Sequence, residues 1–232
     1  MSELSFVHRF EPGTNPDAPP LLLLHGTGGN EHDLIPLGEA IAAGAALLSP
    51  RGKVLEHGMP RFFRRLAEGV FDQDDVRRRA HELADFVKAA RNEYGIVAPT
   101  ALGYSNGANI AAAVMVLRPE VLAGAILLRA MVPLTSPSTP ASSDALAGKG
   151  VLIVSGLRDP IAPSEHVARL KALLEAAGAE VVHRSVPAGH ELTQSDLTLA
   201  REWLQVKARL RRVPDAAQRE REHAKPASLI KL

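Results

Sequence analysis

Four consecutive leucines, Leu21–Leu24, stand between a proline-rich entry and His25-Gly26. A short unbroken apolar run with such boundaries predicts a strand buried on both faces, as in a parallel sheet. Ala45–Leu48 predicts a second short strand, stopped by Ser49-Pro50. The period then changes. Val76, Ala80, Leu83, Val87 and Ala90 fall on one stripe of a helix over Asp74–Tyr94, with Asp74 as N-cap and Gly95 just past its end. Pro99–Gly103 reads as a strand leading into Ser105, and Asn106–Leu117 as a helix of small residues halted before Pro119.

From there strand and helix alternate. Strands are expected at Ala123–Leu128, Val151–Ser155 and Glu180–Val186, and helices at Ser164–Ala177 and from Gln194 to about Ala208. Thr193, three residues before Asp196, has capping-box spacing. This order predicts an α/β fold, a doubly wound and mostly parallel sheet flanked by helices, without a large lid domain. The expected catalytic domain is 1–210, followed by a basic tail, 211–232. The polar stretch Pro133–Asp144 reads as a surface connection within the domain.

In such a sheet, ligands bind beyond the carboxyl ends of the strands. The residues there are His25-Gly26-Thr27-Gly28-Gly29, Tyr104-Ser105-Asn106, Gly156-Leu157-Arg158-Asp159 and Pro187-Ala188-Gly189-His190. A hydroxyl, a carboxylate and an imidazole thus converge on one edge. A serine hydroxyl is a poor nucleophile until a base takes its proton, and an imidazole suits that task. A carboxylate fixes the imidazole tautomer. Gly103-x-Ser105-x-Gly107 fits a nucleophile elbow, in which side chains on either side of the serine would collide with neighbouring backbone. Ala108 and Ala111-Ala112-Ala113 let the next helix lie close under the sheet. The N–H groups of Thr27 and Asn106 are the expected oxyanion donors.

The segments LLLLHGTGG, LGYSNGANIA, SGLRDPIAP and PAGHEL together resemble the α/β-hydrolase fold, and more narrowly the bacterial phospholipase/carboxylesterase family near acyl-protein thioesterases and dienelactone hydrolases. MPRFFRRLAEGVFDQDD is also similar to bacterial members. The resemblance spans roughly Leu21–Leu204. It implies Ser105 as nucleophile, His190 as general base, Asp159 as its orienting acid, no metal and no cofactor. The implied function is carboxylesterase action on small to medium esters, with thioesterase or lysophospholipase action as alternatives and a non-catalytic ligand-binding relative as a minor one. Dienelactone hydrolases use a cysteine, and this chain has none. The basic tail has no counterpart in the resemblance.

Blander readings stand beside these. Ser105 could be a plain N-cap, Asp159 a turn residue before Pro160, and Asp196 a rival acid, though it follows His190 and suits a cap. His25 is expected to brace the oxyanion loop. Gly28, Phe62, Phe63 and Met131 are candidate pocket residues, with the two phenylalanines equally suited to the core. Arg61, Arg64 and Arg65 read either as a solvated loop or as including one arginine that meets an anionic substrate group.

Composition changes the picture little. The 232 residues are 46% hydrophobic but only 4% aromatic, so the core must be aliphatic. A formal net charge of +1 gives no global field toward nucleic acid. The charge is uneven: Gln205–Leu232 carries eight Lys or Arg against three Asp or Glu, and Met1–Leu204 carries 19 against 23. The absence of cysteine excludes disulfides, thiolate metal sites and a thiol nucleophile. The N-terminal segment lacks a signal-peptide pattern and no apolar run reaches the ~18 residues of a membrane helix. The expectation is a cytoplasmic protein with a small-molecule ester as partner, no nucleic acid, no integral membrane association and a homodimer left open.

Overall fold

The computed structural model describes residues 4–135 and 144–212. The chain runs β1 (His8–Glu11), β2 (Leu21–Leu24), α1 (Ile35–Ile41), β3 (Leu47–Pro50), β4 (Val54–Glu56), β5 (Met59–Arg61), β6 (Arg65–Ala67), β7 (Val70–Phe71), α2 (Gln73–Tyr94) and β8 (Thr100–Tyr104). It continues through α3 (Asn106–Leu117), β9 (Gly124–Leu128), β10 (Gly150–Gly156), α4 (Ser164–Ala176), β11 (Glu180–Val186) and α5 (Gln194–Arg212). Seven strands form one sheet in the order β1-β3-β2-β8-β9-β10-β11. Only β1 runs antiparallel to its neighbour. The mostly parallel, doubly wound sheet expected from the sequence is present.

The continuous apolar strands follow from this layering. Leu22 and Leu24 of β2, Ala125 and Leu127 of β9, and Val151 and Ile153 of β10 enter one core with α2, α3 and α4. Their alternates Leu21, Leu23, Ile126, Leu128, Leu152 and Val154 enter a second core with α1 and α5. Each strand therefore buries both faces, and no polar alternation remains to be read. Helix α3 is buried along its length from Asn106 to Val116. Its alanines let it fit between the sheet and α2.

Several boundaries differ from expectation. Strand β3 does not stop at Ser49-Pro50; it includes both, pairing Pro50 with His8 of β1. Its pairing with β2 covers only Leu47 and Leu48, so the proline falls beyond the central ladder, at a strand end where its missing N–H is tolerated. The N-cap of α2 is Asp72, not Asp74; its carboxylate accepts the Asp75 N–H at 3.1 Å. Gly95 does end α2, in the left-handed region at φ 64°. The hairpins β4–β5 and β6–β7 lie outside the main sheet. The expected tail falls outside the described residues from 213 onward, as do 136–143 of the expected polar connection. Among the described residues no helix is long and apolar enough to cross a membrane.

The order of strands places a topological switch point between β2 and β8. From β2 the chain moves to β3 on one side, and β8 and its successors build out on the other. The loops after β2 and β8 therefore diverge and leave a crevice at their carboxyl ends.

Candidate active site

Ser105 follows β8 directly and precedes α3, with φ 52° and ψ −114°. A non-glycine residue in that region carries strain of roughly 1–3 kcal/mol and persists only where its surroundings impose it. Here its N–H donates to the Leu128 carbonyl at 2.9 Å and its carbonyl accepts the Asn109 N–H at 3.0 Å. The neighbouring glycines give clearance. A β-carbon at Gly103 would lie 2.5 Å from the Gly107 carbonyl oxygen, and one at Gly107 would overlap the Leu24 carbonyl. Gly107→Ala is therefore expected to destabilise the fold by about 3 kcal/mol, because the obstacle is backbone and cannot turn aside. A urea midpoint unchanged from wild type would contradict this.

The Ser105 hydroxyl meets His190 Nε2 at 2.8 Å. His190 Nδ1 lies 2.8 Å from Asp159 Oδ2 and 3.1 Å from Oδ1. An ionised carboxylate only accepts, so the proton sits on Nδ1 and leaves Nε2 free to accept from the serine. Asp159 Oδ1 also accepts the N–H groups of Ile161 at 2.8 Å and Ala162 at 3.0 Å. Burial pushes this carboxyl up, but the Ala162 N–H, the His190 ring and the Ile161 N–H outweigh it and hold the group below its ordinary range. Asp159 stays ionised at neutral pH. The rival Asp196 is engaged elsewhere: it caps α5 through the Thr193 N–H at 2.7 Å and pairs with Arg129.

Thr27 and Asn106 both line the crevice beside Ser105 and His190. Asn106 is the first residue of α3, and the leading N–H groups of a helix have no intrahelical acceptor. Its side chain does other work, accepting the Phe62 N–H at 2.8 Å. The Thr27 loop is fixed from two sides. Arg61 donates to Thr27 Oγ1 at 2.7 Å, and His25 braces the loop from beneath. His25 Nδ1 donates to the Gly26 carbonyl at 2.6 Å while Nε2 accepts the Gly52 N–H at 2.9 Å. Burial holds this ring below the usual histidine range, against the pull of the Gly26 carbonyl, Asp33 and Glu31. It is a neutral strut.

The crevice is small, about 40 Å³, and mixed in character, with Arg61, Arg65, Phe71, Asn109, Met131 and Ile161 in its walls. Met131, a candidate pocket residue, is among them. Phe62 and Phe63 are not in the walls. They are 3% and 0% exposed and belong to the core, where Phe62 packs on His25 and Phe63 meets Phe71 edge-on. Gly28 is likewise turned away, its N–H donating to the Pro60 carbonyl at 2.9 Å at φ 84°. The arginines divide: Arg64 is exposed and pairs with Asp72, while Arg61 and Arg65 both pair with Glu56, at 3.1 and 2.8 Å. A larger cavity of about 480 Å³ lies at the opposite, amino ends of β8, β9 and β10, against Trp203 and Leu204. Its polar lining includes Thr100, Asp17 and the Lys207–Glu180 ion pair, with no serine or histidine, so its size alone does not make it the candidate site. Among the described residues no His, Asp and Glu side chains converge to hold a metal ion.

Residues 8–208 match the phospholipase/carboxylesterase family. The chain is 46% identical over 198 residues to MhqD of Bacillus subtilis, covering 84% of this chain and 96% of that one. The crystal structure of the Bacillus cereus carboxylesterase is also 46% identical and superposes with a TM-score of 0.83, covering 89% of this chain and 96% of that one. A carboxylesterase from Mesorhizobium loti is 33% identical, with a TM-score of 0.80 over 88% of this chain and 97% of its own. An elbow serine at the switch point of this sheet and a match along nearly all of the described residues lead to one assignment: the chain belongs to the phospholipase/carboxylesterase family of α/β-hydrolases.

Proposed function

We propose that the protein is a serine carboxylesterase acting on esters of short acyl groups, with Ser105 as nucleophile, His190 as general base and acid, and Asp159 as the carboxylate that holds its tautomer. One observation carries this reading: a strained elbow serine whose hydroxyl lies 2.8 Å from an imidazole nitrogen, with a carboxylate 2.8 Å from the other. The carboxylesterases of Bacillus cereus and Mesorhizobium loti lend support through similarity.

In the forward half-reaction Ser105 Oγ attacks the ester carbonyl as its proton passes to His190 Nε2. The oxyanion of the tetrahedral intermediate meets the N–H groups of Thr27 and Asn106, with the partial positive end of α3 behind them. Collapse breaks the bond to the alcohol, which leaves with the proton from Nε2. Water then attacks the acyl-enzyme while His190 takes its proton, and the second collapse returns that proton to Ser105. No cofactor enters these steps.

The size of the crevice favours this reading over a fatty-acyl thioesterase or a lysophospholipase. About 40 Å³ of space beside Ser105 supports a small acyl group over a fatty chain. An acyl thioesterase or lysophospholipase would need a larger channel. The test is a fluorophosphonate probe followed by a chain-length series of p-nitrophenyl esters. Labelling at Ser105 and turnover favouring acetate over octanoate are expected. Folded protein that takes no label rejects the mechanism, and a preference for octanoate or lysophospholipid rejects the acyl assignment.

A further inference from the structure

Three consecutive carbonyls around His190 are each held by a donor reaching across from a neighbouring strand end. Tyr104 Oη donates to the carbonyl of His190 itself at 3.0 Å. Arg129 Nε donates to the carbonyl of Gly189 at 2.9 Å, and Arg129 Nη2 to that of Glu191 at 2.8 Å. The remainder of the guanidinium fork meets both oxygens of Asp196, at 2.6 and 2.9 Å. Arg129 and Asp196 are both fully buried. Asp196 in turn accepts the N–H and the hydroxyl of Thr193, at 2.7 and 2.8 Å. The chain from Gly189 to Asp196 is thereby closed into a ring around one guanidinium, and His190 stands on that ring.

The backbone of Arg129 joins the same junction. It adopts φ 56°, a left-handed conformation that a non-glycine residue takes at a cost. Its N–H donates to the Val154 carbonyl of β10 at 2.9 Å, and the carbonyl of the preceding Leu128 accepts the Ser105 N–H at 2.9 Å. Residues 128 and 129 thus touch the elbow, the strand that leads to Asp159, and the loop that carries His190.

We infer that Arg129, anchored by Asp196, is a positioning residue for His190. The inference rests on the reading of Ser105 and His190 as nucleophile and base. His190 lies on a loop without regular hydrogen bonding, yet its two ring nitrogens must meet groups on two other loops at once. Fixing the carbonyls on either side of it sets the position from which the ring reaches both. A buried ion pair is weak evidence of a stabilising role, since apolar residues of similar volume often serve as well or better. What an arginine adds here is a planar fork that donates to a carboxylate and to two carbonyls together. A lysine keeps the charge but cannot span them.

The experiment uses Arg129→Lys and the pair Arg129→Met with Asp196→Asn, which leaves no unpaired buried charge and keeps an acceptor for Thr193. Sites are counted by fluorophosphonate titration. Turnover of p-nitrophenyl acetate is expressed per titrated site, and the low-field NMR resonance of the His190 Nδ1 proton is followed. A positioning role predicts kcat per site lowered about 10- to 100-fold with KM nearly unchanged, and a broadened or lost resonance. Less folded protein with unchanged kcat per site and an unchanged resonance would make Arg129 merely structural and overturn the inference. Should the wild-type protein hydrolyse no ester, the reading of Ser105 falls, while the resonance still decides whether Arg129 holds His190 in place. If the lysine variant does not fold, the paired variant decides.

Discussion

A protein carrying both Ser105→Ala and His190→Ala is expected to turn over an activated ester no more slowly than either single variant, each of which should lose about 10⁶ in kcat. The reason lies in the 2.8 Å between Ser105 Oγ and His190 Nε2. Without the imidazole, the hydroxyl has no acceptor for its proton as it attacks. Without the hydroxyl, the imidazole faces a methyl group. Either loss removes the whole nucleophilic route, so the second loss has nothing left to remove. Residual rate, on the order of 10³ over water, would come from the oxyanion donors and from binding. Ser105→Ala should fold normally, since the side-chain bond it breaks is the one to His190. Losses that multiply in the double variant would mean that the two residues act independently, and substantial turnover by Ser105→Ala would remove the serine from the mechanism.

The central strands were legible because burial on both faces leaves no ambiguity of pattern. Leu21–Leu24 has the bounds read from the sequence, as do the helix Asn106–Leu117 and the half-exposed edge strand Glu180–Val186, whose flanking turn residues mark its ends. The segment 54–71 was not legible. Its four strands are two or three residues long, too short for alternation to declare itself. The available signal was the turn: His57 and Gly58 both adopt positive φ, 51° and 82°, the pattern of a two-residue hairpin loop. Histidine in place of asparagine disguised it.

The candidate site divides in the same way. Ser105, Asp159 and His190 could be placed because each lies within four residues of the carboxyl end of a strand, and the sheet alone dictates that such residues share an edge. The walls of the crevice depend on side-chain direction in the hairpins; there the sequence left Phe62 and Phe63 equally suited to pocket or core, and the structure puts them in the core and Phe71 in the wall. Arg129 was invisible for a different reason. A lone arginine after a strand reads as a solvated charge, and its partner Asp196 had already been accounted for as a helix cap.

Asp159→Asn and Asp196→Asn should separate the carboxylate that the sequence favours from its rival, the first acting mainly on kcat and the second mainly on stability. Asp159→Asn is expected to lower kcat by about 10⁴. The Ile161 and Ala162 N–H groups that now reach Asp159 Oδ1 would select the amide oxygen for that position. The amide NH₂ would then face His190 Nδ1 and donate to it. The ring proton would move to Nε2, where it points at Ser105 and blocks proton acceptance. The cost in stability should be largest at neutral pH and shrink in acid. The Asp159 carboxyl lies below its ordinary range when folded, so its contribution is complete above the unfolded value of roughly 3.9 and is lost as pH falls through the folded value. The asparagine variant lacks that slope and should lose less stability than wild type on acidification below about pH 4. Asp196→Asn leaves the fully buried Arg129 without its counter-charge, a change that costs about 3–5 kcal/mol. Its signature is a lowered melting temperature, with a fall in kcat per folded site far short of that in Asp159→Asn, because the His190 tautomer is untouched. Thermal melts and kcat measured on both variants test the assignment, and a 10⁴-fold loss in Asp196→Asn with Asp159→Asn fully active would reverse it.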